Sequence, residues 1–202
     1  MIFNKKTLSY LVIIIWIPFI IWAFWSLQYK NYTLFIKNGT FNEAKLKSFI
    51  KNDFLKHASK FPQKYDITIY NFLDSSCVCS RYASKHIQDI TKKYAGQNIA
   101  FILISQNARE NKPDYYTRIE DDPSLQLQDF IPATPSVAVV DKQGRLAYFG
   151  PYSSDYYCGT GKDSYVEKII YALSTKKNVS NINLSDFGCF CPIESNNKEQ
   201  TK

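Results

Sequence analysis

Residues 99–105, IAFILIS, form an almost unbroken apolar run. A strand with one wet face alternates apolar and polar residues, so a short continuous run marks a strand covered on both faces, in a sheet that is at least partly parallel. The flanking sequence supplies the rest of such a sheet. Upstream, Ile67 to Leu73 alternates and is rich in β-branched and aromatic residues, which predicts a strand. SRYASKHIQDITKKYAG then reads as a helix, with Ile87 and Ile90 in its apolar stripe and Gly96 as its stop. Downstream, PSVAVVD (135–141) and RLAYFGPY (145–152) are two strands joined by KQG, a hairpin signal. DSYVEKIIYALSTKK closes the pattern as a helix with Val166, Ile169, Ile170 and Leu173 on one side. A β-α-β unit followed by a hairpin and a helix predicts the α/β class, with a mixed sheet and helices on both of its faces.

The remaining segments are less regular. Residues 26–40 read as a tether or short edge strand, and Phe41 to Ala58 as an amphipathic helix stopped by Pro62. Gln106 to Phe130 is polar and interrupted by Pro113 and Pro123, a surface excursion with one short helix around Ser124 to Phe130. The expected organisation is an N-terminus and anchor at 1–27, a linker and amphipathic helix at 28–61, the main domain at 62–177 and a cysteine-containing tail at 178–202.

The anchor rests on Leu8 to Trp25, an uncharged run of eighteen residues that reaches the lower limit for a membrane-spanning helix. Lys5 and Lys6 precede it, which predicts a cytoplasmic N-terminus with the main domain on the exported side, a single-pass inner-membrane protein facing the periplasm. Pro18 is tolerable in such a helix. A cleaved signal peptide is the alternative, but AFWSLQYK is a poor cleavage site. The formal charge of +7 arises from dispersed lysines without an Arg-rich block, which argues against a nucleic-acid partner. The Asn-x-Ser/Thr matches at Asn31, Asn38, Asn178 and Asn183 matter only in a cell that glycosylates exported proteins.

Export puts five cysteines, Cys77, Cys79, Cys158, Cys189 and Cys191, where disulfides persist, and an odd number leaves one without an internal partner. The element order, with cysteines at the start of the helix after the first core strand and IPATPSVAVVDKQGRLAYFG before the closing helix, resembles the thioredoxin-like superfamily over roughly residues 62–177. The resemblance implies that Pro135 is a cis-proline facing the active cysteine, with Thr134 beside it, the two shaping a substrate groove. The membrane-tethered, exported relatives in that superfamily handle disulfides or deliver metals. A bacterial family with this C-x-C and a second C-x-C near the end is also similar.

The sequence departs from the usual C-x-x-C of that superfamily. On a regular helix positions i and i+2 lie about 200° apart, so Cys77 and Cys79 would point away from each other unless Cys77 sits outside the helix. Either Cys77 is the attacking residue, with Ser80 in the resolving position, or Cys79 is the resolving residue and Ser76 has replaced the attacker. The first is preferred, because a thiolate at an exposed helix N-terminus is stabilised by free N–H groups and the helix dipole. Arg81 either adds positive potential there or is an ordinary surface arginine.

Three functions follow as expectations. The first is a membrane-tethered thiol–disulfide oxidoreductase acting on exported protein thiols or disulfides through Cys77, with no cofactor. The second is a copper-handling or assembly protein with thiolate ligands, although the spacings fit no common zinc pattern and a bound metal is not expected. The third is a binding domain whose disulfides are structural. His57 and His86 read as packing or surface residues. Cys158 can staple the tail through Cys189 or Cys191, which leaves a tail cysteine near Cys77 or Cys79 as a resolving thiol.

Overall fold

The computed structural model describes residues 5–26, 32–36, 44, 48, 65–105, 114, 116–120, 131–153 and 164–193. Of the amphipathic helix read at 41–58 only Ala44 and Ser48 are described, and both are helical; His57, Cys158, Asn31, Asn38 and the short helix at 124–130 lie outside the described residues. Two compact units are present, Met1–Tyr32 and Thr33–Lys202.

The first unit contains α1 (Lys5–Phe24), with Pro18 inside it. Its apolar side chains from Tyr10 onward are almost all exposed, and Trp16, Phe19 and Trp22 contact one another at i, i+3 spacing. No helix among the described residues is long and apolar enough to cross a membrane.

After β1 (Tyr32–Leu34), whose first residue ends the first unit, the second unit carries β2 (Ile67–Phe72), α2 (Val78–Lys93), β3 (Ile99–Ile104), β4 (Arg118–Glu120), β5 (Ala133–Thr134), β6 (Ser136–Asp141), β7 (Leu146–Gly150), α3 (Tyr165–Ser174), β8 (Asn181–Ile182), β9 (Phe187–Cys189) and β10 (Cys191–Pro192). Six strands form one sheet in the order β4-β3-β2-β6-β7-β8. β2 runs parallel to β3 and antiparallel to β6, β6 and β7 are the hairpin, and β8 adds parallel to β7. Every residue of β3 is buried, as its unbroken apolar run requires. This is an α/β fold built on a mixed six-stranded sheet. β1 pairs with β9 and β5 with β10 in two further small ladders.

The two faces of the sheet are covered differently. Ile67, Ile69, Phe101, Leu103, Val137 and Val139 point one way and pack with Ala83, Ile87 and Ile90 of α2 and Val166, Ile169 and Ile170 of α3. Tyr70, Phe72, Ile102, Ile104, Ala138 and Val140 point the other way, where Phe35, Ile131, Ala133 and Phe190 cover them. Helices on both faces were expected; among the described residues both helices of this unit lie on one face. The C-terminal tail supplies part of the other cover, so it belongs to the core and is not an appendage. The reason lies in its composition, since Ile182, Leu184, Phe190 and Ile193 are the apolar residues that a second buried face needs.

Local chemistry sets the ends of the elements. Ser164 caps α3 by accepting the Glu167 N–H at 3.2 Å, and Gly96, at φ +86°, ends the turn after α2. The phenol of Tyr148 is fully buried and donates to the Pro151 carbonyl at 2.7 Å; burial, with lesser effects of Asp186 and Tyr165, pushes its pKa up. Gly150 sits at φ +154°, where a Cβ would come within 2.6 Å of the Asn183 carbonyl oxygen and 2.8 Å of the Tyr148 hydroxyl. Gly150→Ala is therefore expected to destabilise the domain by about 1–3 kcal/mol, the usual range for overpacking. A urea midpoint unchanged from the parent would count against this close approach of β7 and the tail.

Candidate functional site

The site begins at the loop between β2 and α2. Asp74 Oδ1 accepts from the Ser76 N–H at 2.8 Å and the Ser76 hydroxyl at 2.7 Å, and the Asp74 N–H donates to Ser80 Oγ at 3.2 Å. The Cys77 N–H closes a turn onto the Asp74 carbonyl at 3.1 Å. These bonds hold Cys77 just outside the helix, at φ −79° and ψ 120°, in the N-cap position. Its sulfur accepts the Ser80 N–H at 3.4 Å, so sulfur stands where a serine or aspartate oxygen usually caps a helix. Charge developing on that sulfur meets the positive end of the helix.

Opposite lies the loop between β5 and β6, where the Thr134–Pro135 peptide bond is cis, as the resemblance implied. Cys77 Sγ is 3.7 Å from the Thr134 carbonyl oxygen, and Thr134 is buried. Thr134 and Pro135 thus stand with Cys77 at one place.

The tail completes the arrangement. β10 pairs antiparallel with β5, Cys191 opposite Thr134 and Pro192 opposite Ala133, and the Ile193 N–H reaches the Pro132 carbonyl at 3.2 Å. Two disulfides join tail to helix, Cys77–Cys191 with Cα atoms 5.9 Å apart and Cys79–Cys189 with Cα atoms 5.5 Å apart. The sulfurs of Cys77, Cys79 and Cys191 all lie within 4.8 Å of one another. The physical reason is the difference between the two C-x-C sequences. In the extended tail, side chains alternate, so Cys189 and Cys191 point one way while Phe190 points the other, into the core, edge-on to Phe35 at 5.1 Å. In the first C-x-C, the cap conformation of Cys77 breaks the helical spacing, so both sulfurs can meet the tail pair.

Three expectations change. Cys77 does not stand exposed at its helix start; it is 4% exposed, because β10 lies over it. Cys77 and Cys79 are neither bonded to each other nor divergent, because the tail receives both. Cys189 and Cys191 are bonded to Cys79 and Cys77, so the staple to Cys158 is not the arrangement found. Cys79 is fully buried within α2. Arg81 is exposed. His86 is buried on α2 and is not among the clustered sulfurs.

The missed signal was in the tail itself. In CFC a phenylalanine stands between two cysteines, so an extended chain that buries Phe190 turns both sulfurs the other way.

Residues 47–193, well over half of the chain, match the family described as a domain of unknown function, DUF6436. The chain belongs to that family. All four bonded cysteines and Pro135 fall within the DUF6436 match. No curated protein matches the chain. Among solved structures, it is similar to a hypothetical protein from Sinorhizobium meliloti 1021, at 19% identity and TM-score 0.50 over 66% of this chain and 82% of that one. An uncharacterized conserved protein from Geobacillus kaustophilus matches at 17% identity and TM-score 0.45, over 65% of this chain and 79% of that one. A thiol:disulfide interchange protein of the thioredoxin family from Chlorobium tepidum TLS matches at 19% and 0.42, over 55% and 81%. Identities this low speak to the fold alone.

Proposed function

We propose that this DUF6436 chain is a thiol–disulfide oxidoreductase in which Cys77 is the nucleophile and Cys191, from the tail, is its resolving partner. The observation that carries the reading is a single sulfur, Cys77 Sγ, which is at once the cap of α2, next to the Thr134–cis-Pro135 loop and bonded to Cys191. The expected resolving thiol of the usual motif is replaced by one brought from more than a hundred residues away.

The chemistry runs as two exchanges. In the reduced protein the Cys77 thiolate attacks one sulfur of a substrate disulfide, the substrate S–S bond breaks, and the departing substrate thiolate takes up a proton. The Cys191 thiolate then attacks Cys77 Sγ, the mixed disulfide breaks, and the second substrate thiol is released with its proton. Two electrons pass to the substrate, and Cys77–Cys191 is restored. An external dithiol reductant returns the pair to its reduced form; the same steps in reverse oxidise a substrate dithiol. Partners of this kind are exported protein thiols or disulfides.

The proposal includes attachment to the inner membrane, with the main domain on the periplasmic side. It is supported by Lys5 and Lys6 before the apolar run and by a helix apolar all round with its side chains exposed, a pattern that a helix in water does not hold. Expression with an N-terminal tag and fractionation of sealed vesicles tests it. Recovery of the main domain in the soluble fraction, with residues 1–25 intact, would refute the attachment.

For the chemistry, Cys191→Ser in the otherwise intact chain is expected to accumulate a mixed disulfide on Cys77 when offered a synthetic peptide closed by one disulfide, because the second exchange has lost its thiol. Mass analysis of acid-quenched samples reads this. A Cys191→Ser chain that turns over the peptide at the parent rate would overturn the assignment of the resolving thiol.

The three clustered sulfurs support a second reading, a soft-metal site in the reduced protein, since thiolates suit Cu(I) and zinc. The expected result for reduced protein dialysed against either metal is less than about one tightly held equivalent, because the C-x-C spacings fit no common zinc pattern. Stoichiometric binding lost on Cys77→Ser/Cys79→Ser would favour the metal reading over the redox one.

A further inference from the structure

The two disulfides enclose nearly the same stretch of chain, with sequence separations of 114 and 110. A second cross-link over the same loop constrains the unfolded chain only by the small ring between the two bonds, so loop closure gives little reason for having both. Their surroundings differ much more than their loops. Cys79 is 0% exposed and Cys189 8% exposed, whereas Cys191 is only partly buried and is followed by exposed Pro192. Next to Cys189, Phe190 is fixed among Phe35, Ile131 and Phe149 in the core beneath the sheet. Beyond Phe190, β10 is held by a two-residue ladder and one further backbone hydrogen bond.

These differences decide which bond an incoming thiolate can open. Attack at the Cys191 sulfur expels Cys77, whose negative charge is taken up by the start of α2 and the Ser80 N–H. Attack on Cys79–Cys189 requires an approach to two sulfurs that the fold keeps from solvent.

We infer that Cys79–Cys189 is a non-exchanging tether that keeps Cys191 beside Cys77 while the Cys77–Cys191 bond opens and closes. The inference rests on the oxidoreductase reading and adds to it two positioning residues, Cys79 and Cys189, which act through Cys191 and touch no substrate. With the tether closed, the chain from Cys189 to Cys191 is too short to wander, and the resolving thiol stays at high effective concentration after each opening. Without it, the segment carrying Cys191 is held by the short β9 and β10 ladders and by the packing of Phe190 and Ile193.

The test uses the full-length chain. Under a limiting dithiol reductant, with free thiols alkylated at each time and located by peptide mapping, Cys77 and Cys191 are expected to label together, at least about tenfold faster than Cys79 and Cys189. Simultaneous labelling of all four, or earlier labelling of Cys79 and Cys189, would overturn the tether. In Cys79→Ser/Cys189→Ser, the mixed disulfide with the synthetic disulfide peptide should form on Cys77 at the parent rate and persist roughly tenfold longer or more. A merely structural bond would leave that lifetime unchanged, and so would refute the inference. If no mixed disulfide forms on Cys77 in the parent or in Cys191→Ser, the oxidoreductase reading fails, whereas the order of labelling on the unsubstituted chain still judges the tether by itself.

Discussion

Cys77→Ser is expected to lower the rate of disulfide exchange with a synthetic peptide by roughly a thousandfold or more, the scale on which loss of a nucleophile acts. The serine hydroxyl still caps α2, and a serine is a better cap than sulfur, so the helix start should survive the substitution. Exchange depends on thiolate at one position, the sulfur facing Thr134, and serine offers none at neutral pH. Cys191 is then left as a partly exposed thiol on a two-residue strand, with no helix terminus to stabilise its charge. Stopped exchange in Cys77→Ser, with Cys79–Cys189 still formed and the urea midpoint lowered only modestly, is the expected combination. Residual exchange within about tenfold of the parent would move the nucleophile elsewhere, to Cys191 or to the second bond.

The second large effect concerns stability. On the chain-entropy account, a cross-link closing about a hundred residues stabilises by roughly 4.7 kcal/mol, and one closing a ring of about six residues by roughly 2 kcal/mol. Because the two bonds here are nested, removal of either one leaves the long loop closed by the other. Cys79→Ser/Cys189→Ser and Cys77→Ser/Cys191→Ser should therefore each lose roughly 2 kcal/mol, while Cys189→Ser/Cys191→Ser, which removes both bonds, should lose roughly 7. The combined loss exceeds the sum of the separate ones. It is also comparable with the whole stability of an ordinary domain, so the tail-less-bond variant is expected to be largely unfolded at 37 °C. Urea unfolding of the three variants measures this directly. Additive losses would mean that the bonds stabilise through local packing and not through the loop they share.

Much of the sheet could be read from residue patterns, because its strands announce themselves by period and by continuous apolar runs. Ile99 to Ile104, the β6–β7 hairpin with its Gly144 turn and the two helices with their apolar stripes fall where the sequence placed them. The cis bond at Pro135 came from resemblance, since nothing in the residues themselves dictates that isomer. What could not be read was the tail. Strands of two or three residues carry too little periodicity to register, and β8, β9 and β10 are all that short. The connectivity of the cysteines was illegible for a related reason. Helical spacing argues that Cys77 and Cys79 diverge, and only the cap conformation of Cys77, fixed by Asp74 and Ser80, removes that objection. The partners of the pair then depend on where an apolar tail finds cover, which is a tertiary matter. Phe190 shows how it is settled: its burial against Phe35 turns Cys189 and Cys191 toward α2.

The central claim, that the working redox pair is Cys77 with Cys191, is tested most directly by following which bond forms first. The full-length chain is treated with limiting dithiol until Cys77 and Cys191 are free while Cys79–Cys189 remains closed, and is then freed of reductant. It is then offered one equivalent of the synthetic disulfide peptide and quenched by acid at successive times for non-reducing peptide mapping. The account predicts that a peptide–Cys77 adduct appears first and is replaced by a Cys77–Cys191 cross-link as reduced peptide is released. A first protein bond between Cys77 and Cys79, or between Cys158 and either tail cysteine, would contradict it.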